Sequence, residues 1–387
     1  MNLRILYRSV GSENAKNRPA FYSKQLALAS LLRAVEQVEI PTTIVFVNDG
    51  PMPADRLSMM ADAGEIIPVA CGSNRASYRH VLRMPRLRRW AADDLVWLAE
   101  DDYLYTENSL SALVSAAAAL PSIEYFTLYG TSRLSPTSTR RRPQITDDAV
   151  HEHAPLIEGV AWARTAATTS TFGLRVGTLV EDELLLRSIP FVGGAFDRAT
   201  CLTLQGFQPF RLPELGGEPP KVQPATAAAR MARRAALTGL RATLNAVALA
   251  RPERRRRTLL VPAPSLATHM ELGPALVTGH DWPAEADGVR AWMASRNASS
   301  TGPTTKQTAP AGARPAGAAS GIPAGTAEPG VLVSGTSPRA VSASGAATSA
   351  APAAGRSSPA STNQSSAPGA GATPPPAAPV LRRPFVT

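Results

Sequence analysis

Cysteine is nearly missing from this chain of 387 residues, which has two, Cys71 and Cys201. They lie far apart and match no ligand spacing, which excludes a cysteine-based metal centre and disfavours a disulfide. Each sits in an apolar stretch and reads as a free, buried thiol. Long hydrophobic runs are absent as well: none approaches the roughly 20 residues that a membrane span requires. The amino terminus, Met1-Asn2-Leu3-Arg4-Ile5-Leu6, enters a strand-like segment at once. It has no apolar core followed by a small-residue cleavage site, so no secretory leader is read and the expected compartment is the cytoplasm. Three phosphate or nucleophile signatures are also missing. No G-x-G-x-x-G follows the first strand, and there is neither a P-loop nor a G-x-S-x-G elbow, which disfavours a dinucleotide site, a nucleotide-triphosphatase and a hydrolase of that type. No internal repeat is visible.

Acids and aromatics are missing in particular from the last part of the chain. From about Ala298 onward Ala, Pro, Gly, Ser and Thr dominate, with Glu328 as the only acid. Such a composition cannot bury enough apolar surface to offset the entropy of ordering, and residues 299–387 are expected to be a disordered tail. The formal net charge is +10. Much of the excess lies in that tail and between Lys221 and Arg257. Arg230, Arg233, Arg234 and Arg241 give an Ala-rich helix a basic side, and Arg254 to Arg257 form a run of four. No aromatic platform accompanies these charges, so nucleic acid is not the expected partner. The basic side is either a solvated helix face or a peripheral contact with the inner, anionic face of a membrane.

The first half of the chain alternates strand and helix patterns with short connections. Strands are read at Leu3 to Tyr7, Thr42 to Val47, Glu65 to Ala70, Leu95 to Ala99 and Glu124 to Tyr129. Helices are read from Phe21, through Asp55 to Ala61, after Asn74, and over Asn108 to Leu120. This order argues for right-handed βαβ units and an α/β fold. The run Leu95-Val96-Trp97-Leu98-Ala99 reads as a buried strand, and Glu100-Asp101-Asp102 emerges at its carboxyl end, where such sheets place ligand chemistry. Clustered acids repel one another unless a cation sits among them. A magnesium or manganese ion completed by substrate phosphates is one resolution; the alternative is a strand-to-helix turn in which Asp101 or Asp102 caps a helix.

Taken in order, a polar loop ends the first strand, an Asp-containing turn the second, an Asn-and-Arg segment the third, and the acidic triplet the fourth. In this order of groups the chain resembles nucleotide-diphospho-sugar transferases of the GT-A type, most of all family-2 glycosyltransferases. The resemblance covers about Leu3 to Arg187, and more weakly extends to Trp282. It implies a GT-A-like, Rossmann-related, mixed and mostly parallel sheet flanked by helices. Residues 1–220 would form the transferase domain and residues 221–298 a basic helical and irregular extension completing it. Asp49 in Phe46-Val47-Asn48-Asp49-Gly50 matches the family's base-contacting Asp. The metal motif matches Val96 to Tyr103, with E-D-D where D-x-D is usual, so Glu100 and Asp102 would hold the ion and Asp101 would face the nucleotide sugar. Glu181-Asp182 matches an acidic pair at a helix start, and on that analogy Asp182, or Glu181, is the catalytic base. Acids favoured by the helix dipole would look the same.

Other candidates complete the site. Arg8 and Ser9 in the first loop, with Asn74, Arg75 and Arg79, suit a nucleotide and its diphosphate, because guanidinium forks match phosphate oxygens. His269 is read as a third metal ligand or an acceptor-facing residue, and His151-Glu152-His153 as a weaker chelating pair. Trp162, with the hydroxyl-rich stretch after it, is either an acceptor platform or a core residue. The resemblance thus implies a manganese- or magnesium-dependent, inverting transfer from a nucleotide-diphospho-sugar to a sugar or lipid-linked acceptor. The competing readings are a nucleotidyltransferase on a similar sheet and a non-catalytic scaffold that presents the tail.

Overall fold

Strand β1 (Leu3–Val10) is the keystone of the sheet, since parallel partners flank it on both sides. A computed structural model of the chain describes residues 1–14, 17–130, 132–146, 154–188, 196–216, 226–273 and 276–300. After β1 come α1 (Lys24–Val35), β2 (Thr42–Asp49), α2 (Ala54–Ala63), β3 (Glu65–Val69), α3 (Asn74–Leu87), β4 (Leu95–Glu100) and the short β5 (Tyr103–Tyr105). Helix α4 (Ser109–Ala119), β6 (Tyr125–Phe126), β7 (Arg133–Leu134), β8 (Ile145–Thr146), β9 (Leu156–Ile157), β10 (Val160–Arg164) and β11 (Phe172–Arg175) follow. The described chain ends with α5 (Val176–Ser188), α6 (Phe196–Gln205), α7 (Leu212–Leu215), α8 (Ala227–Ala250), β12 (Leu259–Ala263), β13 (Ala267–His269) and α9 (Trp282–Ser300).

Among the described residues the main sheet has nine strands in the order β3-β2-β1-β4-β11-β6-β12-β10-β9. The first four are parallel; beyond β4 the sheet is mixed, with β11 antiparallel to both β4 and β6. Helices cover both faces, so the anticipated α/β architecture, a mixed sheet flanked by helices, is the one found. Alternation along the strands assigns the faces. Leu3, Ile5 and Tyr7 join Phe46, Trp97 and residues of α1 and α4 on one side. Leu6, Val45, Val47, Val96 and Leu98 meet α3 and α5 on the other. Because β4 is buried on both faces, its run of five apolar residues does not alternate with polar ones. Burial of Leu95, Val96 and Leu98 contributes about 1.5–3 kcal/mol each.

β1 and β2 run two or three residues beyond the ends read from the sequence, to Val10 and Asp49, and two further boundaries depart for local physical reasons. The fifth strand is only Tyr125–Phe126. Beyond it, the Thr127 hydroxyl donates to the Tyr129 carbonyl at 2.8 Å, a local bond that competes with the ladder. Helix α5 starts at Val176, five residues before Glu181, because β11 turns straight into it. The Val176 and Gly177 N–H groups bond the Asp94 and Ala92 carbonyls at 2.9 and 3.0 Å. Glu181-Asp182-Glu183 therefore lies in the middle of α5 and not at its start. Cys71 and Cys201 are free thiols, the second buried. The expected tail from residue 301 on and His151-Glu152-His153 fall outside the described residues, while Ser299 and Ser300, the first residues of the expected tail, end α9. No helix among the described residues is long and apolar enough to cross a membrane.

Candidate functional site

Parallel pairing sets Arg8 of β1 directly beside Glu100 of β4, and their side chains form an ion pair at the carboxyl edge. Arg8 also donates to the backbone and side-chain oxygens of Asn74, at the first turn of α3. The turn after β4 carries the rest of the triplet. Asp101 Oδ2 accepts from the Val10 N–H at 2.8 Å and pairs with Lys24 Nζ at 2.9 Å. Lys24, which is 3% exposed, also donates to the Val10 carbonyl at 2.9 Å, so the first loop is held onto the triplet. Asp102 Oδ2 pairs with Arg18 Nη2 at 3.0 Å and His269 Nε2 at 2.9 Å. Antiparallel pairing of β13 with β5 aligns His269 with Tyr103 and brings the imidazole there.

These groups line a cavity of about 480 Å³, a volume suited to a small ligand. Asp49, Ser9, Asn74, Gly72 and Ser73 share its wall with Arg8, Arg18, Lys24 and the triplet. Asp49 Oδ1 accepts from the Cys71 N–H at 2.8 Å, which ties the end of β2 to the turn after β3. Burial and the Asp49 charge push the Cys71 thiol up. Ser77, one turn into α3, also lines the cavity, and its hydroxyl is buried without a hydrogen-bond partner. Of the basic residues expected here, Arg75 is exposed and outside the lining. Arg79 turns away, its guanidinium donating to the Arg187 carbonyl at 3.0 and 3.1 Å. Neither lines this cavity, where the sequence reading places both beside the nucleotide and its diphosphate.

Electrostatics differ across the triplet. Burial raises the Glu100 carboxyl above its ordinary value, against the pull of Arg8 and with repulsion from Asp102. Burial acts on Asp102 too, but its bonds to His269 and Arg18 outweigh it and leave that carboxyl below the usual range. His269 is the mirror case: burial lowers it, and the Asp102 contact more than compensates and raises it. Glu100, Asp102 and His269 do come together, and two carboxylates with an imidazole are donors that suit manganese. They form ion pairs, though, and not a ligand shell. Each carboxylate of the triplet is engaged by a basic side chain of the chain itself, and His269 Nε2 is spent on Asp102. No group of three or more His, Cys, Asp or Glu among the described residues is arranged to hold a metal ion. As built, the donor set does not fit a divalent ion.

The carboxylate expected to act as base lies elsewhere. Asp182 is 3% exposed, in the middle of α5, and absent from the cavity wall. One oxygen pairs with Arg251, while the other accepts from Arg257 Nε at 2.7 Å and the Tyr125 hydroxyl at 3.0 Å. Glu181 pairs with the same Arg257 at 2.6 Å. Buried and shared by two guanidiniums, Asp182 is an internal counter-ion and is not available to take a proton from an acceptor. Arg257 of the expected basic run is thus a core residue, and Arg241 is buried too, donating to the Glu214 and Leu215 carbonyls at 2.7 and 3.2 Å. Trp162 is fully buried and offers no platform.

The hydroxyl stretch after Trp162 does reach the site. Because β11 runs antiparallel to β4, the residues before it arrive at the carboxyl edge. Thr171 Oγ1 is 3.4 Å from Glu100 Oε2, and the Tyr103 hydroxyl donates to Thr169 Oγ1 at 2.6 Å. Thr169 has φ of 60°, a conformation that β-branched residues rarely adopt and that clusters at functional sites. Arg18 and Lys24 were missed as site residues. Arg18-Pro19 looks like ordinary loop, and Lys24 after the Ser23 cap looks like a solvated helix start. Only the need to neutralise the triplet pointed to cations somewhere.

No family model matches the chain, and no curated protein matches it in sequence. Solved structures with a similar arrangement include the TarS 1-349 chain of S. aureus, with TM-score 0.33, 13% identity and 52% of this chain covered. This chain covers 54% of the TarS chain, about half its length. The CMP:2-keto-3-deoxy-manno-octonic acid synthetase complexed with CTP gives 0.33 and 14%, over 76% of this chain and 100% of that one. The glucosyl-3-phosphoglycerate synthase of Mycobacterium tuberculosis, in complex with Mg2+ and uridine-diphosphate, gives 0.24 and 9%, over 33% and 42%. At these scores the likenesses carry no argument about activity.

Proposed function

We propose that this chain is a transferase that takes a nucleotide-diphospho-sugar and moves its glycosyl group to an acceptor hydroxyl. One observation carries the reading: a single cavity at the carboxyl edge joins Asp49, a hydrogen-bonding partner for a base, to the cations Arg8, Arg18 and Lys24. That pairing suits a ligand with a heterocycle at one end and phosphates at the other. The acceptor would approach from the side of Tyr103, Thr169 and Thr171. Its oxygen attacks the anomeric carbon, the bond from that carbon to the diphosphate oxygen breaks, and the nucleoside diphosphate leaves. With Asp182 engaged in the interior, Glu100 is the carboxylate in the cavity that faces the Thr171 hydroxyl side and is suited to receive the acceptor's proton; burial raises its carboxyl above its ordinary value.

A divalent ion on Glu100, Asp102 and His269, as the resemblance implies, would add positive charge at the leaving diphosphate. Because those donors are already engaged by Arg8, Arg18 and one another, no step here is routed through an ion. The exposed Arg230, Arg254 and Arg255 suit an acceptor carried at an anionic membrane. Calorimetric titration of the full chain with uridine, guanosine, cytidine and adenosine diphosphates tests the reading, and submicromolar to micromolar binding of one base over the others is expected. Product analysis separates the chemistry: release of nucleoside diphosphate supports glycosyl transfer, and release of pyrophosphate replaces it with nucleotidyl transfer.

A further inference from the structure

The acidic triplet holds three carboxylates, and the chain supplies three cations to meet them: Arg8 on Glu100, Lys24 on Asp101 and Arg18 on Asp102. Formal charge within this cluster is therefore already balanced before any ligand arrives. A divalent ion entering it would have to expel guanidiniums from their partners. We propose that Arg8 and Arg18 are the diphosphate ligands of this cavity, parked on Glu100 and Asp102 until an anion displaces those carboxylates, and that the anion binds without a divalent ion. The proposal rests on the nucleotide-diphosphate reading and deepens it.

The exchange is feasible because neither carboxylate is stranded when its arginine leaves. Asp102 retains His269 Nε2 at 2.9 Å, and Glu100 retains the Thr171 hydroxyl at 3.4 Å. Asp101 takes no part, since Lys24 and the Val10 N–H hold it at 2.9 and 2.8 Å. Arg8 and Arg18 are poised differently from Lys24. Both carry forked guanidiniums that match phosphate oxygens, both line the cavity, and each also donates from Nη1 to a backbone carbonyl, Arg8 to Asn74 and Arg18 to Met270, which keeps the guanidinium at the cavity wall. A third donor waits on the same wall. The Ser77 hydroxyl is buried, 2% exposed by residue, and has no partner, beside the amino-terminal turn of the 14-residue helix α3. An oxyanion there would satisfy both the hydroxyl and the positive end of the helix.

The test is calorimetric binding of inorganic pyrophosphate and of the four nucleoside diphosphates to the full chain, once with excess EDTA and once with manganese. Dissociation constants within about threefold of each other in the two buffers are expected. Arg8→Lys and Arg18→Lys should each weaken binding about tenfold or more, because a lysine keeps charge but loses the fork. Ser77→Ala should weaken it about tenfold by removing one charge-assisted hydrogen bond, with unchanged thermal unfolding. Binding that appears only with manganese overturns the inference and leaves the nucleotide reading standing. Pyrophosphate bound in EDTA, with no nucleoside diphosphate binding more tightly, keeps the anion seat and removes the nucleotide reading. No binding of any probe in either buffer overturns both, and unaltered affinity in Ser77→Ala and both lysine variants overturns the assignment of the ligands.

Discussion

Replacing Asp182 with Asn separates a structural carboxylate from a catalytic one. In the interior between α5 and the segment leading into β12, Asp182 is 3% exposed, Arg251 is 8% and Arg257 is 6%. The amide keeps the shape of the side chain but removes the charge that both guanidiniums face, and it presents N–H groups toward donors. Breaking a buried pair from one side costs about 3–5 kcal/mol, because the charge left behind is uncompensated. Whole domains are stable by only about 5–15 kcal/mol. Asp182→Asn should therefore lower the urea midpoint by about 1–2.5 M, given slopes of roughly 2–3 kcal/mol per molar. Arg251→Met should cost less, since Arg257 still holds the carboxylate at 2.7 Å. Equilibrium unfolding followed by tryptophan fluorescence reads both. Nucleotide affinity and turnover of the fraction that stays folded in the cold should match the parent chain. A variant that unfolds like the parent yet has lost turnover would refute the reasoning and return Asp182 to the chemistry.

Three further outcomes follow from particular contacts. A Cβ on Gly11 would stand 1.8 Å from the Pro51 carbonyl oxygen, so Gly11→Ala must push the first loop off the turn after β2; nucleotide binding measured by calorimetry should fall at least tenfold, and parental affinity would show that the loop has no part in the site. Asp49→Ala should weaken nucleoside diphosphates about tenfold or more while leaving pyrophosphate unchanged, and an equal loss for both probes would contradict a base-contacting role. The third outcome concerns pH. Burial raises the Asp94 carboxyl, but the Asn2 N–H at 2.8 Å and Arg4 at 2.9 Å outweigh it, so its folded value lies below the unfolded one. Its stabilisation is fully present above about pH 4 and is lost as pH falls through the depressed value. Asp94→Asn should thus flatten the acid limb of a pH series of unfolding free energies, and an unaltered limb would refute the assignment.

What the sequence made legible was periodic or local. The apolar run of β4 and the β-branched β2 announced a buried parallel sheet, and turn residues at each strand end announced its chemical edge. Asp49, Arg8, Ser9 and Asn74 could be gathered from order alone, because parallel strands deliver their carboxyl ends to one side. Arg79 and Asp182 could not be placed that way. Both sit on helices, where a rotation of 100° per residue decides between cavity and core, and no neighbour in sequence reveals which face α3 or α5 turns inward. Arg18, Lys24 and His269 come from separate stretches and meet the triplet only through tertiary packing. Their pairing has no period to detect.

That pairing changes what an acidic triplet at a strand end means. Repulsion among clustered carboxylates demands positive charge, but it does not specify a metal as the source. Here the loop after β1, the first turn of α1 and the residues around β13 each have a position from which a basic side chain reaches one acid. The antiparallel insertion of β11 then delivers Thr169 and Thr171 to the same edge from the second half of the chain. Glu100 stands where the two halves meet, with Arg8 on one oxygen and Thr171 on the other. An anion that drew Arg8 away would leave Glu100 facing the hydroxyl side with its proton affinity increased.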